Sequence, residues 1–187
     1  TWTVTDNSGN SSTAIQSITV TDDENPTITA SSDQIQTADA GACTAVLVIV
    51  GPATADNCGV STVVNDYNGT SDASDTYPVG TTTITWTVTD THGNSNTDTQ
   101  DIIITDTESP VFSSAVNQSQ SAASGQCNQT ITIVAPAVTD NCGVSSMVND
   151  YNNTSDASDT YDVGTTTIIW TATDIYGNTS TTTQTVT

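Results

Sequence analysis

The side chains in this sequence that could do chemistry are almost all oxygen donors. Asp22, Glu24, Asp56, Asn57 and Asp90 form one set. Asp106, Glu108, Asp140, Asn141 and Asp174 form a second, each member 84 residues after its counterpart. Nothing in the chain balances their charge: there are 21 acidic residues, no Lys or Arg and one His, for a net charge of −21. Unpaired carboxylates repel one another and oppose compaction, so the counter-charge must come from outside the chain. Oxygen-only donor sets suit Ca²⁺, which takes about six to eight oxygens without strict geometry. The competing reading is that the Asp-Asn-Gly stretches are turns whose Asp side chains cap local backbone amides. A second acidic group, Asp72 and Asp75 with Asp156 and Asp159, reads as solvated loop.

Other chemistry is poorly provided for. His92 stands alone and its counterpart is Tyr176, so no Ser, His and acid recur together. There is no general-base Lys and no glycine-rich phosphate loop. Without Lys and Arg the chain cannot neutralise phosphates, which argues against nucleic acid and anionic membrane surfaces as partners. The longest apolar run, Ala45 to Val50, is far too short to span a bilayer. Four cysteines suit an oxidising compartment. Zinc is not expected, because there is no CxxC pair and the one His does not repeat. Paired acids could in principle serve glycoside hydrolysis, but these would recur in every copy on the loops of a narrow sandwich. The chain does not read as an enzyme.

The elements that position these residues come in series. Trp2, Trp86 and Trp170 head the same stretch three times, at a spacing of 84 residues, and Cys43, Cys58, Pro26 and Gly80 recur at Cys127, Cys142, Pro110 and Gly164. Such a period marks a repeat architecture. The expected division is a hairpin at 1–21 that ends a preceding unit, a full unit at 22–105 and another at 106–187. The acidic stretches ending at Pro26 and Pro110 serve as junctions. Each unit shows about seven short strands with turn signals at roughly 8–12-residue spacing, the pattern of a β-sandwich. In the first unit the expected strands are 27–35, 44–50, 60–64, 81–89 and 100–105, with loop and a short edge strand at 65–75 and a turn at Tyr77 to Gly80. Comparing Val46-Leu47-Val48-Ile49 with Thr130-Ile131-Thr132-Ile133 points Leu47 and Ile49 inward and Val46 and Val48 outward. Ile84, Trp86, Val88, Ile102 and Ile104 are expected inside, while Tyr67 and Tyr77 are expected to be half-buried. In the leading hairpin, Trp2 and Val4 pair across a turn at 6–10 with a strand carrying Ile18 and Val20.

Three motifs occur in order: Pro52-x-x-x-Asp56-Asn57-Cys58-Gly59, then Tyr77-Pro78-Val79-Gly80-Thr81, then Trp86-Thr87-Val88-Thr89-Asp90-x-x-Gly93-Asn94. They recur from Pro136 to Asn178, with Asp162 in place of Pro. Together they resemble the HYR (hyalin repeat) domain. The resemblance implies tandem all-β, immunoglobulin-like sandwiches and an extracellular protein linked to adhesion and matrix. In such a sandwich the N-terminal junction and two inter-strand loops share one end. That would bring Asp22 and Glu24 to Asp56, Asn57 and Asp90, and Asp106 and Glu108 to Asp140, Asn141 and Asp174.

The cysteines allow two readings. Pairing within each unit, Cys43–Cys58 and Cys127–Cys142, is the expectation. It requires the segment 51–57 to fold back after a strand that has carried the chain about 23 Å. If the segment does not fold back, Cys43 sits at the bottom of one unit and Cys142 at the top of the next, and a Cys43–Cys142 bridge staples neighbours.

Two functions remain in view. The first is a structural segment of a long extracellular fibre or adhesin stalk. Its units would stack end to end, advancing about 40 Å each, with Ca²⁺ at the joints and neighbouring repeats or identical chains as partners. The second is a module whose end loops recognise glycan or a surface receptor.

Overall fold

The computed structural model describes residues 1–187, and every regular element in it is a strand. Trp2–Thr5 (β1) and Ser11–Ala14 (β2) form an isolated antiparallel hairpin, with Trp2 opposite Ala14. Here the expectation was off by several residues, since Ile18 and Val20 lie outside any strand and are exposed. No second layer covers this hairpin. Trp2 is 70% exposed, whereas Trp86 and Trp170 are 0% exposed, and an uncovered two-stranded ribbon has little to extend it.

The first full unit is a two-layer sandwich. The stretch expected as one strand at 27–35 divides into Thr27–Thr29 (β3) and Gln34–Thr37 (β4). Next come Thr44–Leu47 (β5) and Ala53–Ala55 (β6). Val60–Asn65 (β7), Asp75–Pro78 (β8), Gly80–Asp90 (β9) and Ser95–Thr105 (β10) complete the unit. One layer is the sheet β4-β10-β9-β7, and the other holds the ladders β3–β6 and β5–β8. β3 and β4 serve different layers, and the crossing at 30–33 is held to β10 by two side chains of that strand and one of its own. Asp98 accepts the Ala30 N–H at 2.8 Å, Gln100 donates to the Ser32 carbonyl at 2.9 Å, and Asp33 accepts the Asp101 N–H at 2.9 Å. β4 then runs parallel to β10, while the other ladders are antiparallel. Tyr77 to Gly80 is mostly strand, not turn, and only Gly80 needs glycine's freedom, at φ 120°.

The core lies where period two placed it. Leu47, Ile49, Ile84, Trp86, Val88, Ile102 and Ile104 are buried, and Val46 and Val48 face solvent. Truncating a Trp so placed costs about 3–5 kcal/mol. Tyr77 is fully buried, deeper than expected, and stacks on Tyr67 with ring centroids 4.5 Å apart. Burial pushes its phenol pKa up to about 12, with Tyr67 and the nearby carboxylates adding to the effect.

The second unit repeats the plan with Val111–Phe112 (β11), Asn128–Ile131 (β12) and Val138–Thr139 (β13). Val144–Asn149 (β14), Asp159–Asp162 (β15), Thr166–Asp174 (β16) and Thr179–Val186 (β17) follow. Its large sheet is β14-β16-β17, and the counterpart of β4 shrinks to a single parallel bridge between Gln118 and Val186. Its core comprises Ile131, Ile133, Ala157, Tyr161, Ile168, Trp170 and Val186. Both units are all-β, immunoglobulin-like sandwiches. No helix is long and apolar enough to cross a membrane.

Candidate metal centre at the unit junction

Three segments meet at the top of each sandwich, and each is shaped by an Asp capping its own loop. In the turn after β9, Asp90 Oδ1 accepts the N–H groups of His92, Gly93 and Asn94 at 2.8, 2.6 and 2.9 Å, and Oδ2 accepts the Asn94 side-chain amide at 2.7 Å. Before β7, Asp56 Oδ2 accepts Cys58 N–H at 2.7 Å and Gly59 N–H at 2.8 Å. In the junction, Asp22 Oδ1 accepts Glu24 N–H at 3.2 Å, and the Asn94 amide reaches the Asp22 carbonyl at 3.2 Å. The turn-capping reading of these Asp residues is therefore correct as far as it goes.

It does not account for every oxygen. One carboxylate oxygen each of Asp22, Asp56 and Asp90 lies within 4.8 Å of the other two, and the same holds for Asp106, Asp140 and Asp174. Asp56 Oδ1, Asp106 Oδ2, Asp140 Oδ2 and Asn141 Oδ1 are buried without a hydrogen-bond partner, while Asp22 Oδ2, buried too and without a well-aligned hydrogen bond, has the His92 ring nitrogen and the Cys58 thiol beside it. Asp106 is itself 8% exposed. A buried acceptor left unpaired costs about 1–3 kcal/mol, more when charged. No Lys or Arg exists to relieve it. The donor set of both triads is carboxylate oxygen, which suits a hard divalent cation; Asp22 also lies within 4.8 Å of Cys58 and His92, a mixed group with no counterpart in the second unit.

Of the ten candidate ligands, six carboxylates form these two triads. Asn141 meets the second triad through its amide N–H, which donates to Asp106 Oδ1, and its own Oδ1 is buried without a partner, while Asn57 donates its amide to Glu24 Oε2 at 3.1 Å. Glu108 turns away and accepts the Gly41 N–H of the first unit at 2.8 Å. His92, expected in solvent, is half-exposed, with Nδ1 3.3 Å from Asp22 Oδ2. Desolvation pulls the Asp90 and Asp174 carboxyls upward, but the amides of Asn94 and Asn178 and the turn N–H groups outweigh it, so both pKa values sit below the usual carboxylate range. The Cys58 thiol is raised, first by its hydrogen bond to Asp22, then by desolvation and the surrounding carboxylates.

The same loops join the two units. Asn141 donates to the Ala42 carbonyl at 2.9 Å and to Asp106 Oδ1 at 3.3 Å. Beside this bond, Cys43 is disulfide-bonded to Cys142, with Cα atoms 4.8 Å apart. The pairing expected within each unit, Cys43–Cys58 and Cys127–Cys142, does not form, and Cys58 and Cys127 are free and exposed. The reason lies in β6. After β5 the chain does not fold back; Ala53–Ala55 continues upward against β3. Cys43 and Cys58 therefore stand at opposite ends of a run of about 40 Å.

A further set of residues, not among those singled out from the sequence, serves the Trp indoles. Trp86 Nε1 donates to Gln100 Oε1 at 3.4 Å, Trp170 to Gln184 at 3.0 Å and Trp2 to Gln16 at 2.9 Å. The signal was available: a Gln follows each Trp by 14 residues in all three copies.

The HYR domain family model matches residues 21–104 and 105–187. Hyalin of Strongylocentrotus purpuratus is 30% identical across 92% of this chain, which spans 14% of that protein. Among solved structures the chain is similar to Drosophila N-cadherin EC1-4, at 12% identity and a TM-score of 0.43, covering 87% of this chain and 49% of that one. Mouse Cadherin-23 EC22-24 is similar at 14% identity and a TM-score of 0.40, covering 88% and 64%. With its model matched twice in succession over almost the whole length, the chain belongs to the HYR domain family.

Proposed function

We propose that this chain is a length of an extracellular, adhesion-type repeat protein, a stalk or fibre whose HYR units stand end to end with a Ca²⁺ ion at each junction. The observation that carries the reading is the pair of carboxylate triads, four of whose six carboxylates each hold a buried oxygen without a well-aligned hydrogen bond, in a chain without Lys or Arg whose one His lies beside Asp22. Asp22, Asp56 and Asp90 would hold one ion. Asp106, Asp140 and Asp174 would hold the other. The ion would supply the positive charge that the protein lacks. The protein's part is to present the oxygens: turn N–H groups pin one oxygen of Asp56 and of Asp140 and leave the other facing the triad.

Position explains why such an ion would stiffen a rod. Asp106 belongs to the segment between units, and Asp140 and Asp174 belong to the second sandwich. Asn141 reaches from that cluster to the Ala42 carbonyl of the first. An ion drawing these groups together fixes the connecting segment against the unit it enters. The disulfide and the Glu108–Gly41 bond hold the other side. Neighbouring repeats of the same chain are then the first partners, and a cell surface or matrix is the setting.

Thermal melting with calcium and with chelator tests the reading. A ligand of the native state at about 100 times its Kd stabilises by about 2.7 kcal/mol, or roughly 5–10 °C for a body of this size. A melt that does not move across millimolar calcium removes the metal from the proposal.

A further inference from the structure

Cys58 and Cys127 are the two cysteines that the fold leaves unbonded, and both are exposed. They are not alike. By the 84-residue period Cys58 is the counterpart of Cys142, and Cys127 is the counterpart of Cys43. Those counterparts are bonded to each other across the junction. The chain therefore displays one completed clasp, with the socket half of another at its far end and the plug half at its near end. We propose that Cys127 and Cys58 are inter-unit disulfide sites, each taking the complementary cysteine of a further HYR unit of the same repeat, so that every junction of the array carries one covalent staple. The inference rests on the end-to-end reading of the array, but not on the cation.

The surroundings of Cys127 repeat those of Cys43. At the completed junction Gly41 N–H is bonded to Glu108, and the Ala42 carbonyl is bonded to Asn141. Gly125 and Gln126 occupy those positions before Cys127, and Gly125 has φ 81° where Gly41 has φ 72°. The backbone beside the second cysteine thus has the same turn. Val79 N–H donates to the Cys43 carbonyl at 3.2 Å, and Val163 N–H to the Cys127 carbonyl at 2.9 Å, so both cysteines are anchored alike to the following strand.

A second observation points to the occupant. At the bottom of the first unit is a cavity of about 290 Å³, lined by Val79, Gly80, Thr81 and Ile104, and Tyr176 of the second unit faces into it. At the bottom of the second unit is a cavity of about 300 Å³, lined by Val163, Gly164, Thr165 and Val186 beside Ile131 and Tyr161. Three of these residues are the counterparts of Val79, Gly80 and Thr81. In the completed junction Tyr176 of the β16–β17 turn borders this surface, and Val79 is half-buried there, whereas its counterpart Val163 is 72% exposed. At the free end, the same surface next to the same cysteine fits another copy of that turn.

Closing each staple joins two thiols with loss of two protons and two electrons. A small-molecule disulfide such as oxidised glutathione can accept them. A thiolate attacks it to give a mixed disulfide, and the second cysteine displaces glutathione thiol.

The test is the full chain extended at its C-terminus by one more copy of residues 104–187. The reduced, folded protein is oxidised with glutathione disulfide in chelator and mapped by mass spectrometry without reduction. The expected result is a peptide linking Cys127 to the added copy of Cys142, with Cys43–Cys142 re-formed. Cys127 still open to alkylation while the added unit's Trp is buried, or Cys127 bonded within its own unit, overturns the inference. A Cys127→Ser version of the extended chain separates the two proposals by small-angle scattering. If its units still lie in file but the unsubstituted chain forms no staple, only the disulfide inference fails. If they do not lie in file, the end-to-end reading fails as well.

Discussion

Replacing Cys43 and Cys142 together by Ser removes the one completed staple and adds no free thiol to the two, Cys58 and Cys127, that the chain already has. The two cysteines are 99 residues apart in sequence. The loop they close runs through the first unit from β5 onward, across the junction and into the second. On the chain-entropy account, cross-linking a loop of about 100 residues destabilises the unfolded chain by about 4.7 kcal/mol, against about 3 kcal/mol for a loop of 15. The within-unit pairing would have closed the smaller loop twice, so the two connectivities differ in how the units are coupled. With the staple present, neither unit can unfold without the other restricting its chain. With it gone, the units are joined by the Glu108–Gly41 and Asn141–Ala42 bonds and the connecting segment. The assay is urea unfolding in chelator, followed by Trp86 and Trp170 fluorescence, since both rings are buried. The expected outcome is a loss of about 2–5 kcal/mol, with the chain-entropy figure near its upper end, and separate transitions for the two units. A midpoint that shifts by less than about 0.5 kcal/mol, the range of ordinary surface substitutions, would refute the claim that this bridge contributes to stability by spanning two units.

Four further outcomes follow from the geometry. Gln184→Leu strands the buried Trp170 indole N–H and the Val116 and Val134 carbonyls it serves, so thermal melts should show a loss of about 1–3 kcal/mol; an unchanged melt contradicts the assignment. Gly80→Ala meets no atom within 4 Å, yet must hold φ 120°, so its cost of about 1–3 kcal/mol is conformational and should appear without any change in packing. The Asp72 and Asp156 carboxyls are held below their ordinary pKa, chiefly by hydrogen bonds from Ser74 and Ser158. A carboxyl depressed on folding stabilises the native state above its unfolded pKa of about 3.9, and that contribution fades as pH falls through the lower folded value. The stability gap between the parent and an Asp72→Ala/Asp156→Ala variant should therefore be full at pH 6 and shrink below about pH 4; a gap that widens in acid is the contrary result. Ultraviolet titration should show phenols ionising only near pH 12, because burial raises Tyr77 and Tyr161 to about that value, and Tyr77→Phe and Tyr161→Phe should each remove part of that late phase.

Much of the fold was readable from residue order because alternation is a short-range signal. The inward set of Ile84, Trp86 and Val88 follows from period two alone, and two copies resolved the ambiguous run at Val46 to Val50 by showing Thr at its outward positions. What could not be read was where strands interrupt and resume. The run from Thr44 to Ala55 breaks at Val48 to Pro52 and continues as β6, and the break looks like a turn in sequence. That one continuation decides the disulfide connectivity. The candidate ligands were legible as residue types at a fixed period, but their individual directions were not. Glu108 and Asn57 belong to the same loops as the triads, yet spend their polar atoms on Gly41 and Glu24. Such choices are made by the neighbouring unit and by loop geometry, which local pattern does not encode. The Trp–Gln pairs were encoded plainly, as a constant offset of 14 residues, and needed only the knowledge that a buried indole N–H seeks an acceptor.

The account rests on the junction carboxylates holding a divalent cation. Its most direct measurement is calorimetric titration of the oxidised chain with Ca²⁺, compared with an Asp106→Asn/Asp140→Asn variant that keeps the shape of the second triad and removes two of its charges. The parent should bind Ca²⁺ saturably at two sites, and the variant should lose the one at the second triad and keep the one at Asp22, Asp56 and Asp90. Identical isotherms for the two proteins, or no saturable heat from either, would contradict it.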